Sequence, residues 1–144
     1  MTPDVNVLVA AARDDHPHHH TAAAWLDDAL AAAADGARLA LLPMVTAGFL
    51  RVVTQRRVFP VPTPPDQAVA FLRAVLDRPG TALLDLGPEW SVLAELCETR
   101  AVAGGDVTDA WIAVAVLGHA EHLATFDRGF RRFLPPARLT VLDP

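Results

Sequence analysis

The sequence predicts an α/β fold built around a mostly parallel sheet, and three observations lead to that prediction. Short apolar stretches typical of buried strands alternate along the chain with longer segments typical of helices. The chain has 144 residues and 52% hydrophobic content, which is enough for one globular core. No repeat, low-complexity tail or linker interrupts the pattern, so we expect residues 1–144 to form a single domain.

The predicted strands are short and apolar. The first is very short and ends at Asp4, and a helical stretch follows it directly. The second is ended by Pro43, which cannot donate a hydrogen bond to a neighbouring strand. Together the predicted strands are residues 1–4, 38–43, 81–87, 122–126 and 138–143.

The predicted helices are bounded by residues that begin or end helices. Gly36 closes an Ala-rich helix, and Thr63 is the expected N-cap of a helix with prolines in its first turn. The run 16-HPHHH-20 indicates the flank of a helix rather than a zinc site, because metal pairs on helices favour spacings such as i and i+4. After the helical stretch that follows the first strand, the predicted helices are 18–36, 44–55, 63–77, 89–100 and 104–118.

Composition and charge limit the classes of function. The net charge of −5 argues against a general basic coat for nucleic acid, while a basic set made only of arginine leaves a local phosphate site open. No apolar run approaches the roughly eighteen residues that span a bilayer, and the N-terminus lacks the basic head of a signal peptide. The single cysteine, Cys97, excludes an internal disulfide and fits a reducing compartment. We therefore expect a cytoplasmic protein with no membrane segment.

Four aspartates are predicted to converge at one edge of the sheet. Asp4 ends the first strand, Asp127 follows strand 122–126, and Asp106 and Asp109 begin the helix that leads into that strand. In open parallel sheets, ligands bind outside the carboxyl ends of the strands. Carboxylates brought close together repel one another unless a cation lies between them, and hard oxygen ligands suit Mg²⁺ or Mn²⁺. Such ions promote phosphodiester hydrolysis by activating water and stabilising the leaving oxygen.

The same aspartates have ordinary structural interpretations. Asp106 as N-cap with Asp109 at the third helical position is a variant of the capping box and favours the helix dipole. Asp109 fits this interpretation less well, because apolar residues follow it. Asp4 and Asp127 are of a residue type that turns favour. The residues alone leave both interpretations open.

An ordered set of segments resembles the PIN-domain nucleases, and specifically the VapC-type toxins of bacterial toxin–antitoxin pairs. The segments are 3-PDVNVLVAA-11, 48-GFLRVVTQRRVFP-60, 107-VTDAWIAVAV-116 and 123-LATFDRGFRRF-133, in the family's order. The stretches 16-HPHH-19 and 25-WL-26 match a common VapC subgroup, so the likeness covers nearly the whole chain. The resemblance implies a three-layer α/β/α fold, an Mg²⁺-dependent endoribonuclease activity, a homodimer and a cognate VapB-like antitoxin.

The resemblance also implies roles for individual residues. Asp4, Asp109 and Asp127 match the catalytic, metal-binding acids of the family. Asn6 and Thr125 match the polar residues that brace those acids. These five residues are therefore the expected centre of the site.

The chain departs from the family pattern at one position of this expected site. The family usually carries a glutamate just before the hydrophobic pair 49-FL-50, whereas this chain has Gly48, which offers no side-chain ligand. Asp106 is a candidate replacement as a metal ligand, because it lies three residues before Asp109 and shares a helix face with it. The number of bound metals and the level of activity stay open.

Arginines and tryptophans have two interpretations each. Arg51 and Arg128 are expected to bind RNA phosphates beside the acidic site, and the alternative is a solvated rim or a contact with an antitoxin. Trp25, Trp90 and Trp111 lie among apolar helix residues and are expected in the core, with base stacking as the alternative.

Together these features predict an Mg²⁺-dependent endoribonuclease of the VapC toxin type, with RNA as substrate. Two alternatives from other classes stay open. One is a binding protein that keeps the fold and has lost turnover with the change at Gly48. The other is a structure-specific DNA nuclease.

Overall fold

The computed structural model describes residues 1–143 and consists of short strands connected by helices. The helices are α1 Val5–Ala12, α2 His19–Ala34, α3 Pro43–Val53, α4 Pro65–Leu76, α5 Glu89–Arg100 and α6 Asp106–Gly118. The strands are β1 Thr2–Pro3, β2 Leu39–Leu41, β3 Thr81–Leu83, β4 Leu123–Thr125 and β5 Leu139–Val141. The 3-10 helices Arg128–Arg132 and Pro136–Arg138 lie between β4 and β5. The predicted α/β class is confirmed.

The strands pair in parallel, as the sequence predicts. β1 pairs with β4, β4 with β5, and β2 with β3. The Ala40 amide donates a hydrogen bond to the Met1 carbonyl oxygen at 2.8 Å, which connects the two groups of strands in the order β3-β2-β1-β4-β5. Every residue of β2 and β4 is buried, as expected where helices cover both faces of a parallel sheet. Because β1 and β4 are neighbours, the residues that follow them lie at the same edge.

The core fixes the helices that carry the site. Phe49 of α3 and Ile112 of α6 are almost fully buried, and Leu8 of α1 is fully buried. The ring of Phe49 stacks on Phe71 of α4, with the ring centroids 5.3 Å apart. Burial of such a side chain contributes about 1.5–3 kcal/mol. The packing therefore holds α1, α3 and α6 firmly against the sheet.

The start of α6 differs from the capping box that the sequence suggested. The N-cap is Gly105, which makes no side-chain cap, and Asp106 is the first helical residue. Gly104 has a φ of 61°, a conformation that favours glycine, and Gly105 already has helical backbone angles. Glycines therefore make the turn that a capping side chain would otherwise stabilise.

Thr63 also has a different role from the predicted one. α4 begins at Pro65 with Pro64 as its N-cap, so Thr63 does not cap the helix. Its hydroxyl oxygen instead accepts a hydrogen bond from Nη1 of Arg13 at 3.0 Å. The partner is fifty residues away in sequence, which is why local capping rules did not identify it.

Two of the three tryptophans are not core residues. Trp25 packs against the core as expected, but Trp90 is 77% exposed and Trp111 is 37% exposed. The apolar pattern of α5 and α6 identified helices without showing that one side of them stays uncovered. Across residues 1–143, the helices are too short or too polar for any of them to cross a bilayer.

Candidate active site

Three of the four predicted aspartates line one cavity of about 440 Å³. Asp4 follows β1 and Asp127 lies two residues beyond β4, so the pairing of these strands brings both to the same edge. Asp109 reaches the cavity from the first turn of α6. The rest of the lining is mainly apolar and includes Val5, Val9, Val52, Val58, Phe59 and Ile112.

Asp4 is the most deeply buried of the three acids, with only 6% of its surface exposed. It is the N-cap of α1, and its Oδ1 accepts a hydrogen bond from the Val5 amide at 2.6 Å. The pKa of Asp4 is raised to about 6, mainly by burial and also by the charges of Asp109 and Asp127, although the hydrogen bonds from Thr125 and Val5 lower it. Without a cation, these carboxylates therefore disfavour a full set of negative charges.

Thr125 is the centre of the hydrogen bonds that hold Asp4. Its hydroxyl donates to Oδ2 of Asp4 at 2.7 Å and accepts from the Asp127 amide at 2.9 Å and from Nδ2 of Asn6 at 3.1 Å. Oδ1 of Asn6 in turn accepts from the Phe126 amide at 3.2 Å. Thr125 thus holds Asp4 directly and Asn6 contacts Thr125, while the supporting role of both residues stays a prediction.

Asp127 is exposed and is positioned by the turn that follows it. It is the N-cap of the 3-10 helix Arg128–Arg132, and its Oδ1 accepts from the Gly129 amide at 2.7 Å. A Cβ atom at position 129 would lie 2.9 Å from that oxygen. Glycine at this position therefore allows the carboxylate to approach the backbone.

Asp109 is partly buried, with 31% of its side chain exposed. Burial raises its pKa, the charge of Asp127 adds to this effect, and Arg132 acts in the opposite direction. The following residues Ala110 and Ile112 are buried and anchor this turn of α6. Burial and the neighbouring carboxylate therefore destabilise the charged form of Asp109, as they do that of Asp4.

Asp106 does not line this cavity. Its carboxylate faces Arg132 instead, with Nη2 at 2.5 Å from Oδ1 and Nη1 at 2.7 Å from Oδ2. The hydrogen bonds from Arg132 hold the pKa of Asp106 below its usual value. Nη2 of Arg132 also lies 3.9 Å from Oδ2 of Asp109. The structure thus separates Asp106 from the three acids with which it was grouped, and its role as a metal ligand stays a prediction.

The space at Gly48 is filled by an apolar side chain. A Cβ atom at position 48 would lie 2.7 Å from Cγ2 of Val5. Arg51 and Val52, three and four residues further along α3, both line the cavity, so position 48 lies on the helix face that points towards it. The side chain of Val5 therefore fills the space in which the side chain of the family's glutamate would begin.

The predicted RNA-binding arginines are placed differently. Arg51 lines the cavity, whereas Arg128 is exposed on the turn after Asp127 and does not line it. Arg13, which sequence reasoning did not single out, donates to the Val61 carbonyl at 3.0 Å and lies 4.1 Å above the ring of Phe59. It thereby holds one cavity wall in place.

The donor chemistry of the cavity suits a hard divalent cation. Asp4, Asp109 and Asp127 offer only oxygen atoms, and burial, with a smaller effect of the charges of Asp109 and Asp127, raises the pKa of Asp4. Within residues 1–143, no three His, Cys, Asp or Glu side chains stand close enough to surround an ion. Mg²⁺ usually keeps several waters and binds through one or two carboxylates, so this open arrangement fits it.

A second cavity, of about 630 Å³, lies between α5 and α6. Its one acidic residue, Glu89, has Oε1 at 2.8 Å from the Gly87 amide and 3.3 Å from Nε2 of His119. Val92, Val114 and other apolar groups form most of the remaining lining. This cavity lacks the grouped carboxylates that phosphodiester chemistry requires.

A parallel α/β sheet with an acidic cavity at the carboxyl ends of adjacent strands defines the class of protein. The model of the PIN domain family matches residues 1–133. The chain is 38% identical over 131 residues to Ribonuclease VapC31 and to Ribonuclease VapC25 of Mycobacterium tuberculosis, with 90% of each chain covered in both cases. The chain belongs to the PIN-domain family and, within it, to the VapC ribonucleases.

A solved structure supports the same fold at lower sequence identity. The crystal structure of VapBC2 from Rickettsia felis, bound to a DNA fragment from their promoter, is similar to this chain with a TM-score of 0.64. The two chains are 19% identical, and the match covers 99% of this chain and 98% of the other. The predicted PIN-like α/β/α fold is therefore confirmed over nearly the whole chain.

Proposed function

We propose that this chain is an Mg²⁺-dependent endoribonuclease and the toxin of a type II toxin–antitoxin pair. The observation that carries the proposal is the shared cavity of Asp4, Asp109 and Asp127, in which burial and neighbouring charge raise the pKa of Asp4 to about 6. A cation bound there relieves that unfavourable charge. Membership of the VapC ribonucleases makes RNA the proposed substrate.

The proposed ligands are Asp4, Asp109 and Asp127, one or two of them bound directly and the rest through the waters that Mg²⁺ keeps, with Mn²⁺ as an alternative ion. When bound, the ion supplies activation of a water molecule and stabilisation of the leaving oxygen. Thr125 and Asn6 hold the carboxylate of Asp4, and the Gly129 amide holds that of Asp127. These bonds orient the ligands before the ion arrives, which reduces the cost of ordering them.

The proposed path of RNA crosses the cavity beside Arg51. The guanidinium of Arg51 lies at the lining, where it attracts a phosphate towards the carboxylates and their cation. Arg128 is exposed next to Asp127 and binds a neighbouring phosphate in the same proposal. Because the whole chain has a net charge of −5, we expect phosphate to be attracted only near these two arginines.

We further propose a VapB-like antitoxin as partner, together with a homodimeric state and a cytoplasmic location. The similarity to a VapBC structure over 99% of this chain supports the proposal of an antitoxin. Co-expression with the product of a short neighbouring reading frame should relieve toxicity. Abundant soluble protein and unhindered growth without a partner would count against the toxin role.

A catalytically weak binding protein is the second candidate, and the contact between Gly48 and Val5 favours it. Val5 occupies the space next to the position where the family usually carries a glutamate, which leaves the cavity one carboxylate short. An inactive protein of this kind binds RNA without cleaving it.

A DNA-directed nuclease, in contrast, cleaves DNA in preference to RNA.

The deciding experiment incubates purified protein with single-stranded RNA and with DNA, in Mg²⁺ or in EDTA. We expect RNA cleavage that requires Mg²⁺ and that Asp109→Asn abolishes, because the amide keeps the shape but loses the charge. Asp28→Asn, on the exposed face of α2, is the matched control and should cleave as the parent does. Equal cleavage by the parent and Asp109→Asn would disprove the proposed site.

A further inference from the structure

His16 lines the same cavity as the three carboxylates, although it lies in the segment between α1 and α2. The pattern 16-HPHHH-20 predicts the flank of a helix, and His19 does begin α2. Residue 16 precedes that helix and is partly buried. Its imidazole is thus a polar group of the cavity wall that the proposed ligand set does not use.

A backbone hydrogen bond determines which nitrogen of His16 carries the proton. Nδ1 accepts a hydrogen bond from the His18 amide at 3.1 Å, so Nδ1 has no proton and Nε2 carries it in the neutral ring. Burial lowers the pKa of His16, and neighbouring His18 adds to this effect. Within residues 1–143, Nε2 of His16 makes no hydrogen bond.

The neighbouring histidines have structural partners. The ring of His18 stacks on Phe126 with the centroids 4.9 Å apart, and Nδ1 of His19 lies 2.9 Å from the Ala10 carbonyl oxygen. These contacts hold the segment against α1 and the end of β4. His16 is therefore the histidine of the run that lines the cavity, and its Nε2 is the donor that we consider for a ligand there.

We propose that His16 is a substrate-binding residue whose Nε2–H donates a hydrogen bond to a phosphate oxygen of RNA. The inference rests on the proposed ribonuclease function and adds a contact to the same site. The lining side chains with nitrogen donors are Asn6, Arg51 and His16, and one of the two amide hydrogens of Asn6 is already used by Thr125. A neutral donor also has an advantage over a second cation, because it does not compete with Mg²⁺ for the carboxylates.

Two substitutions separate this role from a structural one. In His16→Asn the side-chain oxygen can still accept the His18 amide, as in an Asx turn, but the short amide does not extend to the position of Nε2. In His16→Gln the amide nitrogen extends to about that position, while the local turn is weakened. A purely structural histidine predicts that Asn is tolerated better than Gln. A phosphate-binding histidine predicts the reverse for RNA affinity.

The test measures the binding of a fluorescein-labelled single-stranded RNA by anisotropy, in an Asp109→Asn background that keeps the RNA intact. We expect His16→Asn to weaken binding about tenfold and His16→Gln to stay within about threefold, as for loss of a hydrogen bond to a charged group. The exposed His20→Asn is the matched control and should bind as the background protein does. Addition of RNA should also shift the nitrogen NMR signal of His16 Nε2 and leave that of His20 in place.

The outcomes separate this inference from the proposed function. If the wild-type chain cleaves RNA but His16→Asn binds as tightly as the background protein, only the phosphate contact is wrong. If Gln loses affinity while Asn keeps it, His16 has only a structural role. A wild-type chain that neither binds nor cleaves RNA overturns both.

Discussion

Arg132 and Asp106 form a two-point ion pair at the rim of the cavity, with nitrogen–oxygen distances of 2.5 and 2.7 Å. The same guanidinium lies 3.9 Å from Asp109. Asp106 therefore draws Arg132 away from an acid that lines the cavity. This geometry allows Asp106 to affect a metal ion without binding it.

The first prediction concerns Asp106→Asn. We expect this variant to weaken Mg²⁺ binding severalfold, because the released Arg132 moves towards Asp109 and competes with the cation. The second substitution Arg132→Gln should restore the affinity. Calorimetric Mg²⁺ titration of both variants is the measurement. If the Mg²⁺ affinity of the double variant stays as low as that of Asp106→Asn, Asp106 is a metal ligand. If Asp106→Asn binds Mg²⁺ as tightly as the parent, Asp106 neither binds the ion nor controls Arg132.

The second prediction is a pH dependence of stability caused by Asp4. The folded pKa of about 6 lies above the unfolded value of 3.8, so the folded state binds the extra proton. The free energy of unfolding of the metal-free protein should therefore fall as the pH rises from about 4 to about 6. The difference between the two pKa values corresponds to a loss of about 3 kcal/mol from the free energy of unfolding over this range.

The measurement is urea unfolding in EDTA across this pH range, for the parent and for Asp4→Asn. Asparagine caps α1 about as well as aspartate but does not titrate. The difference in slope between the two proteins isolates Asp4 from other groups. Parallel pH profiles would mean that Asp4 titrates normally in the folded protein. Saturating Mg²⁺ should also reduce the slope of the parent, because the ion stabilises the charged form.

The convergence of Asp4 and Asp127 was predictable, whereas the surroundings of these residues were not. Both acids follow parallel strands, and a general rule for such sheets places them at one edge. His16 reaches the cavity only because of the backbone path between α1 and α2, for which the sequence carries no simple pattern. The pairing of Asp106 with Arg132 joins residues 26 apart, and local helix rules favoured a cap instead. Apolar periodicity identified α5 and α6 but could not show that Trp90 stays exposed.

The third prediction tests how Asp127 is positioned. In Gly129→Ala, the new Cβ would lie 2.9 Å from Oδ1 of Asp127, so the carboxylate must move away from the backbone amide. We expect Mg²⁺ affinity and RNA cleavage to fall about tenfold, as for loss of a bond that orients a ligand. Gly118→Ala is the matched control, because a Cβ there meets no atom within 4 Å. Thermal unfolding should show that Gly129→Ala remains folded, and normal cleavage by it would show that this turn does not position the acid.

The last prediction concerns the missing glutamate. A Cβ at position 48 would lie 2.7 Å from Cγ2 of Val5, so Gly48→Glu alone should lower the free energy of unfolding by about 1–3 kcal/mol, as overpacking does. Val5→Ala removes the obstructing methyl groups, and the double variant should recover much of that loss. With space available on the cavity face of α3, the new carboxylate should also tighten Mg²⁺ binding relative to Val5→Ala alone. Chemical unfolding and Mg²⁺ titration of both single variants and the double variant provide the test. Tighter Mg²⁺ binding by Gly48→Glu with no loss of stability would show that Val5 moves aside freely and does not control access to this position.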